Sequence, residues 1–378
     1  MRVDRQNIIE EFKRQAGISS PSKQEGAMAR YLRQRFVALG GEVTEDDAGR
    51  QVGGEVGNLL VRLPGTRAGE PLMFSVHMDT VGPCDGVEPV LDGDIFRSAG
   101  QTVLGADDKA GIVELIEALE TARRLGIGHP PLEIVITICE EIGLVGAKHF
   151  DCSQLKARRG YALDTNGVDR LIHRAPGANR FEAVIEGREA HAGIAPEKGL
   201  SAIEVAARAI ASMPLGRIDN ETTANIGTIE GGVACNIVPR QVRLVGEARS
   251  HDGDKLERQT AAMVAALEQA AASSEKLIDN EPVRARVRVD IEPDYPIMHV
   301  PADAGVVHLA AKAAAGLGRD LEVAAAGGGS DANIFNQGGI ETVILGTGMD
   351  KVHTVDEQVR VSDMEAVAEL LVEILAHA

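Results

Sequence analysis

Hydrophobic residues in the first part of the chain follow either helical spacing or short continuous runs. Helical spacing covers 5–39, where Ile8, Ile9 and Phe12 begin the first apolar stripe. Apolar runs predict strands at 58–63, 72–77, 132–139 and 158–165, with helices at 105–125 and 143–150 between them. Because strands alternate with helices, this part of the chain predicts an α/β fold with a parallel sheet. The Gly-, Pro- and Asp-rich stretch at 82–105 receives no strand or helix.

The pattern changes in the middle of the chain. Alternating apolar and polar residues, typical of half-exposed strands, recur there beside two helices. These strands are predicted at 179–187, 222–232, 240–250 and 283–293, and the helices at 200–213 and 254–274. The α/β pattern then returns at Pro301 and ends in a helix over 362–377. We therefore predict a discontinuous α/β domain over 1–175 and 295–378, interrupted by a small α+β domain over 176–294.

Composition narrows the class of protein. A chain of 378 residues exceeds the usual size of a single hydrophobic core, which agrees with two domains. Its formal net charge of −18 argues against binding to a phosphate backbone. Aromatic residues make up only 3% of the chain, without tryptophan, which argues against stacking platforms for single strands. We therefore expect no nucleic-acid partner.

The cysteines and the apolar runs bear on the compartment. Four cysteines are scattered without a CxxC pair, which is typical of a reducing compartment and offers no thiolate metal cluster. The charged N-terminal stretch lacks the apolar core of a signal peptide. No apolar run approaches the roughly 18 residues needed to span a membrane. We expect a cytoplasmic protein with no membrane partner.

Polar clusters follow the ends of several predicted strands. They contain His77 and Asp79, Asp107 and Asp108, Glu140 and Glu141, Asp164, and His353. In an open α/β sheet, ligands bind at the carboxyl ends of the strands, so these clusters can converge. Each cluster alone has an ordinary structural explanation, such as a helix N-cap for an Asp-Asp pair or a solvated surface for a Glu-Glu pair. Their shared position at strand ends favours a site.

Histidine and carboxylate side chains without cysteine suit Zn²⁺, with Mn²⁺ or Co²⁺ as alternatives. Two such ions about 3.5–4 Å apart, bridged by a carboxylate, form a known arrangement for hydrolysis. They would also neutralise the dense negative charge of the cluster. One of the adjacent residues Glu140 and Glu141 can then bind metal, while the other stays free as a general base for the attacking water.

Several separated motifs resemble one family, the dinuclear-zinc exopeptidases that include peptidase T, aminoacylase-type deacylases and glutamate carboxypeptidases. The motifs are HMDTV, GADDKAG, CEEIGLVGA, ALDTNG and VHTVDE, joined by GREAHAGIAPEKGLSAI, GGVACNIVP and GGGSDAN. They occur in the family's order, and HAGIAPEKG with Asp164 is most similar to the peptidase T-like branch. The resemblance implies a catalytic domain with a mixed, mostly parallel sheet and an inserted domain serving as lid and dimerisation domain.

The resemblance also implies roles at matching positions. His77 and Asp164 would bind one zinc ion, Glu141 and His353 the second, and Asp107 would bridge both. Glu140 would be the general base, and Asp79 would orient His77. The family has a cis peptide at the position of Asp107–Asp108.

Further residues are implied to contact substrate. His191 and Asn236 would help to stabilise the oxyanion, with His191 reaching the active site of the partner subunit in a homodimer. Arg249 would hold a substrate carboxylate, although a surface arginine at a strand end explains it nearly as well. The glycine run at Gly328 would let the backbone approach the substrate. Ser330 stands where many relatives have threonine.

The function expected from these residues is hydrolysis of a peptide bond. We predict a peptidase T-like aminopeptidase releasing N-terminal residues from short peptides such as tripeptides. The alternative with the same metal site is a deacylase or carboxypeptidase acting on N-acyl amino acids or dipeptides. A nucleotide-binding protein is disfavoured because the GLG turn at 316–318 lacks a third glycine and follows a helix. A metal-binding relative without catalysis is disfavoured by Glu140.

Overall fold

The computed structural model describes residues 3–378 and divides into two compact units. The first unit combines the chain up to Ala175 with Met298–Ala378, and the second is Pro176–Ile297. The last strand of the second unit runs to Tyr295, so the division falls a few residues beyond 294. Among the residues described, no helix is both long and apolar enough to cross a membrane.

The helices and strands are numbered in chain order. The helices are α1 Arg5–Ala16, α2 Gly26–Ala38, α3 Ala48–Val52, α4 Ala106–Leu125, α5 Val145–His149, α6 Ala202–Ser212, α7 Gly253–Ala272, α8 Gly305–Gly316, α9 Asp331–Gln337 and α10 Val361–His377. The strands before the second unit are β1 Glu42–Glu45, β2 Leu59–Leu63, β3 Leu72–His77, β4 Pro89–Asp92, β5 Ile95–Ser98, β6 Leu132–Thr137, β7 Arg159–Thr165 and β8 Arg170–Ala175. Those of the second unit are β9 Gly177–Glu186, β10 Ala190–His191, β11 Gly216–Arg217, β12 Thr222–Gly231, β13 Ile237–Val238, β14 Gln241–Ser250, β15 Lys276–Ile278, β16 Glu281–Val283 and β17 Arg286–Tyr295. The strands that follow are β18 Met298–His299, β19 Glu322–Ala325, β20 Glu341–Gly346, β21 Met349–Asp350 and β22 Gln358–Arg360.

The first unit is built on a nine-stranded mixed sheet in the order β1-β2-β6-β3-β7-β20-β8-β18, with β19 added alongside β8. Its central pairs β6–β3, β3–β7 and β7–β20 are parallel, and the pairs towards β1 and β18 are antiparallel. Phe74 and Ile134 pack into one core, while Met73 and Val135 pack into another on the opposite face. Burial on both faces explains why β3 and β6 read as continuous apolar runs. The predicted α/β class is confirmed.

A second sheet of the first unit was not predicted from the sequence. It has four strands in the order β21-β22-β5-β4, all paired antiparallel. Two of them lie within 82–105, the stretch that received no element. These strands have two to four residues each, which is too short for a period-2 pattern to emerge. The sheet joins the chain before α4 to the segment around His353.

The second unit is a five-stranded antiparallel sheet in the order β11-β12-β14-β9-β17, with helices α6 and α7 packed against it. Its core includes Phe181, Leu244 and Leu267, and it is separate from the cores of the first unit. Alternation along β9 and β14 buries every second residue, as the sequence predicts for a sheet with one covered face. Most of β12 beyond Ala224 is exposed.

Candidate metal centre

The ends of three neighbouring parallel strands bring the predicted ligands together. His77 is the last residue of β3, Asp164 lies near the end of β7, and Glu141 follows β6. Because β6, β3 and β7 are parallel neighbours, their carboxyl ends share one edge of the sheet. Asp107 reaches the same edge from the turn at the start of α4, where it and Asp108 have non-helical backbone angles. The Asp107–Asp108 peptide is cis, as the resemblance implied.

Asp107 stands between two histidines. Its Oδ1 atom lies 3.0 Å from His77 Nε2, and its Oδ2 atom lies 3.4 Å from His353 Nε2. Each histidine also has a second carboxylate nearby. Asp164 Oδ1 is 3.9 Å from His77 Nε2, and Glu141 Oε2 is 2.9 Å from His353 Nε2. The two oxygens of Asp107 therefore each point to a different histidine–carboxylate pair.

The donor set fits metal ions on two observations. Ligand atoms of His77, Asp107 and Glu141 all lie within 4.8 Å of one another. In addition, Glu141 Oε1 is buried and has no hydrogen-bond partner, which is costly unless a cation or another donor satisfies it. Imidazole nitrogens with carboxylate oxygens form a set that Zn²⁺, Mn²⁺ and Co²⁺ accept. The residues present therefore suit a metal centre.

Three carboxyl groups of the cluster, those of Glu140, Glu141 and Asp164, resist ionising side by side. Burial raises the pKa of Glu140, and the charge of Asp164 raises it further. Burial also raises the pKa of Asp164, with repulsion from Asp107 added. Burial raises the pKa of Glu141 in the same way. Divalent cations would remove this repulsion, because an opposite charge within a few ångströms favours the ionised form.

In the metal-free protein, the two histidines become protonated and supply positive charge that metal ions would otherwise supply. Burial acts to lower the pKa of His77, but its hydrogen bonds to Asp107 and Asp79 outweigh burial and raise that pKa well above the usual value. Hydrogen bonds to Asp107 and Glu141 raise the pKa of His353 to about 10. The acidic cluster therefore stabilises positive charge, either as protons on these histidines or as bound metal ions.

Asp79 organises the residues around it through hydrogen bonds. Its side-chain oxygens accept the backbone N–H of Glu140 at 2.9 Å and that of Glu141 at 3.2 Å. The Ser22 hydroxyl donates to the same carboxylate at 2.6 Å. His77 Nδ1 lies 3.0 Å from the Asp79 carbonyl oxygen and 3.6 Å from its carboxylate. A proton on Nδ1 that is donated to this carbonyl leaves Nε2 free for a metal.

Two further acidic side chains hold the backbone at Asp107 and at His77, and the sequence motifs assigned neither of them a role. Glu357 accepts the backbone N–H of Gly105 at 2.7 Å and that of Asp107 at 3.0 Å. Asp108 Oδ2 accepts the backbone N–H of His77 at 3.1 Å. Glu357 closes the VHTVDE motif, so its position in that motif was the available signal.

A cleft of about 580 Å³ opens beside these residues. Its lining includes Asp107, Glu140, Glu141, Asp164 and His353 with Asn166, Arg170, Ile172, Gly327, Gly328, Gly329, Ser330 and Lys351. Gly328 lies in a cleft wall next to the candidate ligands, and its contact with substrate stays a prediction. The side chain of Ser330 instead caps α9 by accepting the backbone N–H of Ala332.

The other predicted substrate residues lie in the second unit. Pairing of β10 with β13 brings His191 close to Asn236, and the Asn236 carbonyl accepts the Ala192 N–H at 2.9 Å. His191 and Asn236 are both exposed. Arg249 lies on β14, and its Nη2 atom is 2.9 Å from Glu247 Oε2. The roles of these three residues stay predictions.

Family models match both units of the chain. Residues 58–170 match the model described as peptidase family M28, and residues 174–275 match the peptidase dimerisation domain. The architecture is thus that of a peptidase with a separate dimerisation domain.

Full-length relatives narrow the class further. The chain is 42% identical to the Bacillus subtilis protein YqjE over 100% of this chain and 99% of that protein. The structure of aminopeptidase PepT from Bacillus cereus matches with a TM-score of 0.90 and 40% identity, covering 100% of this chain and 99% of that one. A tripeptidase from Staphylococcus aureus matches with a TM-score of 0.93 and 35% identity over the same shares. The chain belongs to the peptidase T-like family, and it is a hydrolase.

Proposed function

We propose that this protein is a metal-dependent aminopeptidase that removes the N-terminal residue from short peptides such as tripeptides. The observation that carries the proposal is the arrangement of Asp107 between two histidine–carboxylate pairs, with Glu140 beside them in the same cleft. Similarity to an aminopeptidase and to a tripeptidase over nearly the whole chain supports a peptide substrate.

Two Zn²⁺ ions suit the ligand set, and Mn²⁺ or Co²⁺ are alternatives. His77 and Asp164 would hold one ion, Glu141 and His353 the other, and Asp107 both. Bound there, the ions would polarise the scissile carbonyl and make the attacking water more acidic.

Glu140 is the proposed general base. Its backbone N–H is held by Asp79, and its side chain lines the cleft and forms no hydrogen bond or ion pair with His77 or His353. With the neighbouring acidic charge neutralised by metal ions, its ionised carboxylate can accept a proton from the attacking water. The same carboxyl group can then deliver that proton to the leaving amine. His191 and Asn236 would stabilise the oxyanion.

We further propose a homodimer assembled through the second unit, acting in the cytoplasm. The match of residues 174–275 to a peptidase dimerisation domain supports the dimer. The cysteines Cys84, Cys139, Cys152 and Cys235 are all free thiols, which is usual in a reducing compartment.

The test is a panel of di-, tri- and tetrapeptides, each free or blocked at either end, assayed with Zn²⁺, Mn²⁺ and Co²⁺. An aminopeptidase should cleave free tripeptides and reject those with a blocked amine. Cleavage of N-acyl amino acids instead would identify a deacylase, and an absolute need for a free carboxylate at the scissile residue would identify a carboxypeptidase. If a strong chelator leaves the activity on every peptide unchanged, the metal mechanism is refuted.

A further inference from the structure

Arg170 is a positively charged side chain in the cleft that has no role in the chemistry described above. It is the first residue of β8, and Ile172 follows two positions later on the same face of the strand. Both residues line the cleft that contains Glu140 and Asp164. Arg170 therefore faces the same space as the proposed catalytic base.

The guanidinium group of Arg170 is only partly satisfied. Its Nη1 atom donates to Asn166 Oδ1 at 3.0 Å, and its Nε atom is buried without any hydrogen-bond partner. Within residues 3–378 it forms no ion pair with a carboxylate. A buried N–H of an arginine normally has a partner, since leaving it unpaired is costly. The group is thus held in place by a neutral amide while its charge stays unneutralised.

Arg249 offers the same chemistry under less favourable conditions. Its guanidinium lies 2.9 Å from the carboxylate of Glu247, so much of its charge already has a partner. Lys351 also lines the cleft, but its side chain is exposed and more mobile in principle than a side chain held by Asn166. Arg170 combines a fixed orientation with a free charge.

We propose that Arg170 binds a carboxylate of the peptide substrate and so determines substrate specificity. This inference rests on the proposed peptidase function. The planar guanidinium of arginine pairs bidentately with a carboxylate, which gives both orientation and affinity. Metal ions would neutralise the acidic side of the cleft and leave Arg170 as a cation facing the remaining space. The carboxylate can be the C-terminus of a short peptide or the side chain of an aspartate or glutamate.

The test uses one well-cleaved tripeptide that ends in glutamine and compares three versions of it. They are the free acid, the C-terminal amide, and the C-terminal amide in which glutamate replaces that glutamine. Arg170→Met removes the charge and keeps most of the length. Arg159→Met is the matched control, because Arg159 begins β7 at the end of the strand away from Asp164 and also has an unpartnered buried Nε. Arg249→Met tests the competing arginine.

We expect Arg170→Met to lower kcat/KM about 10- to 100-fold on the carboxylate-bearing peptide that wild type prefers, with little effect on the neutral amide. Loss on the free acid identifies the C-terminus, and loss on the glutamate peptide identifies the side chain. The metal content and melting temperature of Arg170→Met should match wild type, and the Arg159→Met control should keep the wild-type kcat/KM on all three peptides. Equal loss on all three peptides, or selective loss only in Arg249→Met, would overturn the proposal.

A second variant covers the case in which Arg170→Met does not fold. Asn166→Asp places a carboxylate against the unchanged arginine and should neutralise it, so the preference for an acidic peptide should again disappear. If Asn166→Asp keeps that preference, Arg170 does not bind the carboxylate. A wild type that cleaves acid and amide equally overturns this inference alone, whereas a wild type that cleaves no peptide refutes the proposed function itself.

Discussion

Adjacent glutamates at the end of β6 have different surroundings. Glu141 lies 2.9 Å from His353 and has one buried oxygen without a partner, whereas Glu140 lines the cleft and forms no hydrogen bond or ion pair with either histidine. Both backbones are held by Asp79, so the pair cannot exchange positions without breaking two hydrogen bonds. This difference in surroundings supports the proposed roles of Glu141 as a metal ligand and Glu140 as the general base.

Replacement of each glutamate should therefore have a different effect. Glu140→Gln should keep metal content and melting temperature but lose at least about 10²- to 10⁴-fold in kcat, the usual contribution of a general base. Glu141→Gln should weaken metal binding, measured by competition with a chelator. The opposite pattern would mean that the base and the ligand are exchanged.

Asp331 is a buried carboxyl group at the start of α9. Its Oδ1 atom has no partner, and Thr137 donates to Oδ2. Burial raises the pKa of Asp331 to about 6, above its value of 3.8 outside the fold. The folded state therefore keeps a proton that the unfolded chain releases, so stability should fall as pH rises from about 4 to about 6.

Asp331→Asn should remove this dependence. In metal-free protein, its free energy of unfolding relative to wild type should improve by about 2 kcal/mol between pH 4 and pH 7, since one pKa unit corresponds to about 1.4 kcal/mol and the unfolded carboxyl is already more than half ionised at pH 4. Chemical denaturation at both pH values measures the change, with the exposed Asp320→Asn as control. A difference that does not vary with pH would contradict the buried-proton explanation.

At the scale of elements, carboxylates hold the loops that carry the candidate metal ligands. Asp79 holds the turn after β6, and Glu357 holds the turn before α4. The sheet that pairs β22 with β5 brings the segment containing Glu357 to that turn. The position of the candidate ligand Asp107 thus depends on a hydrogen bond to a residue 250 positions away in the sequence.

Glu357→Gln should test that dependence. A glutamine has one acceptor oxygen, so one of the two backbone N–H groups would lose its partner and meet an amide donor. We expect metal affinity to fall about 10- to 100-fold, the usual effect of losing an outer support of a ligand. Chelator competition measures it, and the exposed Glu292→Gln in the second unit is the control. Unchanged affinity would show that the turn is held in place without Glu357.

At the scale of the whole molecule, the chain divides its proposed machinery between two units. The metal ligands and Glu140 belong to the first unit, and His191 and Asn236 belong to the second. The second unit matches a peptidase dimerisation domain. A site completed by His191 from a partner subunit is consistent with this division.

Mixing two inactive variants tests action between subunits. His191→Ala and Glu140→Gln homodimers should each be nearly inactive, but heterodimers contain one site with both groups intact. We expect activity to recover to at most about a quarter of wild type after subunit exchange, as random mixing gives half heterodimers with one complete site each. No recovery in a mixture shown to exchange subunits would place His191 in its own subunit's site or outside the mechanism.

The sequence by itself determined the fold class and the family. Apolar runs such as 72–77 and 132–139 are long enough to show burial on both sheet faces, and the structure has strands at β3 and β6 as predicted. Because the central strands are parallel neighbours, polar clusters that are far apart along the chain meet at one edge of the sheet. The short motifs, including GADDKAG and CEEIGLVGA, carried the resemblance that the full-length relatives confirm.

Only the tertiary structure decided what surrounds those residues. Strands of two to four residues are too short to show an alternation of apolar and polar residues. The sequence therefore did not predict the four-stranded sheet that brings Glu357 to the turn before α4. The hydrogen bond from Asp107 N–H to Glu357 joins residues 250 positions apart, and no local pattern records such a contact. Arg170 likewise looks like any arginine near a strand. Its hydrogen bond to Asn166 and its unneutralised charge depend on the pairing of β8 with β20, which places Arg170 in the cleft.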